Sequence, residues 1–322
     1  MKPTQRLRRL RANETMRSMV RENQLSTADL IYPMFVHPGS EPRVPIPSMP
    51  GVYQHSLRAF GEALDAVVAS GVSAVLIFGS AESKDELGSE AHSENGAVQQ
   101  AIRLAKDRYP ALYVIGDVCL CAYTSHGHCG VVEGGAINND ASVEQLVRVA
   151  LSQARAGVDM VAPSDMMDGR VRAIRRALNE AGFVDVALMS YAAKFASALY
   201  GPFREAVDSA PQFGDRRSYQ LDPANASEAL REIRADAEEG ADVLLIKPAA
   251  PYGDIIFQAK QLTALPVAAY HVSGEYAMIK AAHERGFLDE KQVVLENLLC
   301  SKRAGADLLI TYHALAVASW LE

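Results

Sequence analysis

Cysteine is scarce in this chain, with four in 322 residues. The basic N-terminal stretch "MKPTQRLRRLRANET" is followed by no apolar run of the kind a secretory signal needs. Few thiols and no export signal exclude a disulfide-stapled secreted scaffold and lead us to expect a cytoplasmic protein with reduced cysteines. Long hydrophobic runs are missing as well. Nothing approaches the roughly 18 apolar residues of a membrane span. Excess positive charge is absent, and a net charge of −7 gives no general attraction to nucleic acid or anionic membrane. There is no low-complexity segment, no dividing linker, and no GxGxxG or GxxxxGK[ST] phosphate loop after the first strand. The rest is 49% hydrophobic and 22% charged, enough to bury a large core. The length suits two ordinary domains or one α/β barrel.

One punctuation recurs along the chain. "ASGVSAVLIFGS" (69–80), "RAGVDMVAPS" (155–164), "EEGADVLLIKP" (238–248) and "RAGADLLITYH" (303–313) share a plan. A helical lead-in ends at glycine, a short polar pair follows, and an apolar run closes on polar or reactive residues. The runs are continuous rather than alternating, as in strands buried on both faces. Residues 29–36, 112–120, 186–191 and 266–272 supply four more. Amphipathic stretches at 57–69, 94–108, 142–156, 168–181, 227–239, 274–284 and 289–304 separate the eight. Eight βα units in one chain predict an α/β fold, a (β/α)8 TIM barrel over residues 26–322. A doubly wound open sheet is the alternative. Two segments lie outside the repeat. Residues 1–25 carry six arginines and read as an N-terminal arm for an acidic neighbouring subunit. Residues 200–223, rich in Gly, Pro and polar groups, read as a long loop acting as a lid on the catalytic face.

In such a barrel the chemistry sits at the C-terminal strand ends. Lys247 closes "VLLI" and Lys194 follows "MSYAA". Alone, either lysine could simply reach out to water. Together at one mouth, each disfavours the other's charge, and an apolar setting disfavours both. A free amine near neutral pH is a nucleophile toward carbonyls, so Schiff-base chemistry is the natural use. Three of the four cysteines fall within "CLCAYTSHGHC" (119–129). Cys119, Cys121 and Cys129 could form an open zinc site, with His126 and His128 as possible fourth ligands but read rather as surface loop residues or as groups bonded to the ligands. Cys300, on a helix, reads as an ordinary core thiol. Arg204 and Arg216 lie on the lid with Gln220 beyond them, a set suited to a substrate carboxylate. A class I aldolase and a non-catalytic zinc-binding barrel are the rival readings. The first leaves the cysteines and the second lysine unexplained.

At these residues the sequence resembles the porphobilinogen synthase (5-aminolevulinate dehydratase) family. "DVCLCAYTSHGHCG" is similar to that family's cysteine-rich metal loop, and "MSYAAKFASALYGPFR" and "LLIKPAAPYGDII" to its two lysine signatures. "YHVSGEYAMI" and "RAGADLLITY" are similar to its later motifs, so the match runs from the "RLRRLR" arm to the last strand. The resemblance implies a lyase on a (β/α)8 barrel with an N-terminal arm, usually a homo-octamer. It would condense two molecules of 5-aminolevulinate to porphobilinogen, with loss of two waters, in tetrapyrrole (heme) biosynthesis. By the same resemblance Lys247 forms a Schiff base with the first substrate and Lys194 one with the second. Cys119, Cys121 and Cys129 hold zinc, and Asp117 and Ser164 handle the second substrate's amino group. Arg204, Arg216 and Gln220 grip its carboxylate. Ser273 and Tyr312 take the first substrate's carboxylate, with Tyr200 and Phe203 packed over it. An allosteric magnesium is implied at Glu232. Gly253 and His313 depart from the family's usual residues.

Overall fold

The molecule is described here by a computed structural model covering residues 4–321, so residues 1–3 of the expected arm and residue 322 of the expected barrel lie outside the described residues. Apolar runs that cannot face water on either side need cover on both faces. The eight runs find it as parallel strands: β1 (Leu30–His37), β2 (Ala74–Gly79), β3 (Tyr113–Val118), β4 (Met160–Pro163), β5 (Ala187–Lys194), β6 (Val243–Lys247), β7 (Val267–His271) and β8 (Leu308–Thr311). Each pairs with the next, and β8 returns to β1 through Leu30–Leu309 and Ile31–Ile310, closing the barrel. Every residue of β4, β6 and β7 is buried. The open-sheet alternative is excluded by that closure.

Helices clothe the barrel. They are α1 (Leu57–Ala69), α2 (Ala97–Arg108), α3 (Asn139–Arg155), α4 (Arg170–Glu180), α5 (Ala226–Glu238), α6 (Gly253–Leu262), α7 (Ser273–Glu284), α8 (Glu290–Ala304) and α9 (Ala314–Leu321). Side chains of Ser56, Asn138, Asn225 and Asp289 cap α1, α3, α5 and α8 by accepting from free N–H groups of the first turn. Helix α1 shows why these stretches lie down on the barrel: Phe60, Leu64 and Val67 share one face and are all buried. The punctuating glycines 71, 157, 240 and 305 are all left-handed, with φ of 79°, 96°, 102° and 116°, where a Cβ is strained.

One irregularity positions the site. Between β5 and β6, Ser190 pairs with Leu244 and Ala193 with Ile246, so Tyr191 and Ala192 oppose Leu245 alone. This bulge re-phases β5 and brings Lys194 into direct register with Lys247. Paired residues of parallel strands point the same way, so both lysines enter the barrel mouth together.

The segment 200–223 is not the unbroken loop its composition suggests. It starts from a 3-10 turn at Ala198–Tyr200 and a short helix, Gly201–Ala206, whose Pro202 costs no bond because the first helical N–H groups lack partners anyway. Within the arm, Leu7–Arg11 forms a 3-10 turn and Glu14–Met19 a helix capped by Asn13. Leu7 and Met19 are 77% and 75% exposed, so the arm leaves its own barrel uncovered at these side chains.

Candidate functional site

The lysine pair is buried, at 5% exposure for Lys194 and 4% for Lys247. Aromatic rings surround the Lys247 amine: Tyr270 at 4.2 Å, Phe203 at 4.9 Å, and Tyr191 and Tyr200 each at 5.3 Å to the centroid. Burial, reinforced by the charge of Lys194, pulls the Lys247 amine down to about 7. Lys194 is held differently, donating to the backbone carbonyl of Ser164. Asp117, at the end of β3, is raised to about 6 by burial, with Lys194 opposing. Its Oδ1 has no partner among the described residues. A neutral amine and a carboxyl of raised proton affinity thus share one dry mouth, the arrangement that lets proton transfer and amine attack run near neutral pH.

The lid closes over them. Phe203 packs between Phe35 and Phe78, at the ends of β1 and β2, with centroids 5.9 and 5.0 Å away. Tyr200 donates to the carbonyl of Lys247 at 3.2 Å. The space left among Lys194, Lys247, Asp117, Ser164 and Arg216 is about 10 Å³, room for about one water. Ser273 accepts from the Phe203 N–H at 3.0 Å, and Tyr312 shares a hydrogen bond with Tyr270 at 3.0 Å.

Arg216 and Gln220 are buried and Arg204 half-buried. Arg216 donates to the carbonyls of Gly127 and Ser209 at 2.9 and 2.5 Å. Its Nε, the Nε of Arg204 and both amide atoms of Gln220 have no partner among the described residues. Buried donors left unpaired cost stability. Three residues of the 200–223 segment sharing that condition suit an acceptor with oxygens to offer, such as a carboxylate.

Just past β3, the Cys119 and Cys121 sulfurs lie 3.5 Å apart, and with Cys129 all three sulfurs fall within 4.8 Å of one another, fully buried. Ligands on a tetrahedral zinc at about 2.3 Å stand roughly 3.8 Å from each other, so the trio fits such an ion with one position open. Hydrogen bonds from Cys119 and Cys121, with Arg216 nearby, push the Cys129 thiol well below its usual range, so one thiolate is already favoured. His128 is not a surface residue and offers no fourth ligand. It is 3% exposed, and its two ring nitrogens meet the Tyr219 hydroxyl at 3.1 Å and the Phe213 carbonyl at 3.0 Å. At Gly127 the lid comes so close that a Cβ would lie 2.4 Å from the Ala210 oxygen.

Glu232 does not line the small space around the lysines. It is half-buried on α5 and faces a cavity of about 710 Å³, which Asp168 lines together with His128, Tyr219 and Gln220. Burial, then Asp236, raises its carboxyl, with Arg170 opposing. Gly253 opens α6 with nothing near its missing Cβ, and nothing in the structure explains a glycine there. His313 is buried, 3.3 Å from Glu290 and 4.4 Å from the Tyr276 ring centre. Tyr191 and Tyr270, two rings around Lys247, were not singled out from the sequence. They sit inside apolar runs and read there as core.

Fold and site together describe a (β/α)8 barrel with two buried lysines in register at its mouth, an arrangement suited to carbonyl chemistry. The sequence model of the family described as delta-aminolevulinic acid dehydratase matches residues 4–320. The chain belongs to that family. It is 57% identical over 317 residues to the delta-aminolevulinic acid dehydratase of Halalkalibacterium halodurans, covering 98% of this chain and 97% of the relative. Against the Bacillus subtilis enzyme of the same name it is 52% identical over 316 residues, covering 98% of each. Among solved structures it is similar to delta-aminolevulinic acid dehydratase (porphobilinogen synthase) of Toxoplasma gondii in complex with the reaction product porphobilinogen. There the TM-score is 0.97 at 45% identity, over 99% of this chain and 92% of that one.

Proposed function

We propose that this chain condenses two molecules of 5-aminolevulinate to porphobilinogen, with Lys247 and Lys194 as the amines that form imines with the two substrates. The register pairing of the lysines, with the Lys247 amine drawn to about 7, carries this reading. Near pH 7 about half of Lys247 is free amine, which adds to the ketone of one substrate and loses water to give an iminium. Lys194 does the same with the other, and these are the two waters released. Each iminium acidifies the carbon beside it, so a carboxylate such as Asp117 can take a proton there. One lysine leaves by elimination after the carbon–carbon bond forms. The other is displaced by the amino group of the substrate whose lysine has already left, which closes the five-membered ring. Arg204, Arg216 and Gln220 hold the second carboxylate, and Ser273 and Tyr312 the first. Tyr200 and Phe203 exclude water while the lid is seated, so entry requires the lid to lift.

Cys119, Cys121 and Cys129 would hold zinc, a soft-ligand choice for thiolates, and the ion when bound supplies a Lewis acid that orients and polarises the second substrate. Magnesium, a hard ion that prefers oxygen, suits Glu232 rather than the thiols. The direct assay is pyrrole formation from 5-aminolevulinate with and without a chelator. Turnover that a chelator stops supports the reading, and no pyrrole under any metal condition refutes it.

The carboxylate role has its own test. Arg216→Lys keeps a charge but loses the fork geometry, so KM should rise roughly tenfold, the scale of one charged hydrogen bond. An unchanged KM would remove Arg216 from substrate recognition.

We extend the proposal to assembly in the cytoplasm as a homo-oligomer, an octamer by the family resemblance. The exposed apolar residues Leu7, Leu10 and Met19 sit among the arm's arginines, a surface suited to a neighbouring copy. Deleting residues 1–20 should shift sedimentation toward smaller species and lower activity. An unaltered sedimentation profile would count against the arm.

A further inference from the structure

Glu275 has no part in the chemistry above, yet it is 5% exposed on the first turn of α7. One carboxylate oxygen accepts from the Val272 N–H at 2.6 Å, a reach back over the helix start that ordinary capping explains. Capping does not explain the other oxygen. It crosses to the neighbouring βα unit and accepts from the Ala250 N–H at 2.8 Å, three residues beyond Lys247. The turn that Glu275 fixes also carries Ser273 and Gly274. Ser273 receives the lid's Phe203 N–H, and at Gly274 a Cβ would lie 2.5 Å from the lid's Leu199 oxygen. One buried carboxylate therefore joins the backbone behind the nucleophile to the turn on which the lid rests.

We propose that Glu275 is a positioning residue for imine formation at Lys247, locking the loop after β6 to the 272–275 turn so that amine, Ser273 and lid keep one geometry. This rests on the reading of Lys247 as the imine-forming amine. The surroundings offer the carboxylate no strong counter-charge. His271, the last residue of β7 and 3.7 Å away, is lowered to about 4 by burial, and His313, just past β8, likewise, so both are neutral near pH 7. Lys280 pairs with Glu290, and the cation acting on Glu275 among the described residues is Lys247 on β6, with Tyr200 on the lid a neutral phenol. Backbone N–H groups thus do most of the holding. Burial raises Glu275 to about 7 against those bonds. A protonated carboxyl gains a donor and gives up an acceptor, so the lock weakens as pH falls through that value.

The test uses the full chain with 5-aminolevulinate and borohydride, following adduct on the Lys247 peptide. Glu275→Gln keeps the shape but turns an NH2 group toward one of the two N–H donors. Glu275→Asp keeps the bond to Val272 and cannot span to Ala250. Both should trap at least about tenfold more slowly, the scale of a lost charged hydrogen bond. The loss should fall mainly on kcat, with melting temperature near that of the parent. On the acid side, log kcat/KM of the parent should steepen toward two protons, one from Lys247 and one from Glu275, and in Glu275→Gln toward one. Absence of adduct in the parent refutes the reading of Lys247 itself. Trapping at the parent rate in both variants overturns only the role of Glu275, as does failure of both to fold.

Discussion

Replacing Lys247 by arginine is expected to cost at least about 10⁴-fold in turnover, as removal of a covalent nucleophile does. The guanidinium retains a positive charge in the aromatic cage but stays protonated above pH 12, so it has no lone pair to add to a ketone. The pH dependence follows from the same site. With the parent amine at about 7, its titration alone should make imine formation fall tenfold per unit as pH drops below that value and flatten above it, a limb that the Glu275 carboxyl makes steeper still. Without the burial and the Lys194 charge, an ordinary lysine would leave the limb near ~10.4. Lys194→Arg should also be severely impaired in turnover, yet still form the first adduct at Lys247. Equal turnover by parent and Lys247→Arg would end the Schiff-base account.

Chelation is expected to abolish turnover without unfolding the barrel. The three thiols form a cluster apart from the main core, and among the described residues Tyr219 is the partly buried apolar side chain packed against it. The fold does not lean on them. Cys121→Ser should cut activity by more than about 100-fold, the upper end of what loss of a metal ligand's hydrogen-bond partner costs, while far-ultraviolet circular dichroism stays unchanged. Metal analysis should return one zinc per chain at the thiols. Full activity in metal-free protein would contradict this.

The barrel was readable because its punctuation is local. Gly71, Gly157, Gly240 and Gly305 each mark a helix end whose backbone only glycine adopts freely, and the runs behind them are too apolar for anything but a doubly covered sheet. Lys194, Lys247 and the three cysteines were readable because reactive residues at strand ends break an apolar pattern. Their direct register pairing was not. The bulge at Tyr191 and Ala192 that aligns the lysines is a property of the pairing between two strands, and neither strand's sequence records it. Tyr191 and Tyr270 were hidden for a related reason, since a tyrosine in an apolar run looks like core whether or not a lysine stands over it. Glycine and proline around Phe203 masked the short helix Gly201–Ala206, where the proline in fact sits in the first turn, which tolerates it. His128 read as a loop residue because the lid partners that bury it, Phe213 and Tyr219, lie some ninety positions further along the chain.

The most direct measurement is peptide mapping by mass spectrometry after borohydride reduction in the presence of 5-aminolevulinate. A stable adduct on the Lys247 peptide, retained in Lys194→Arg, is the predicted result. An adduct found only on Lys194 would reverse the two roles, and an unlabelled chain that still makes porphobilinogen would contradict the covalent mechanism altogether.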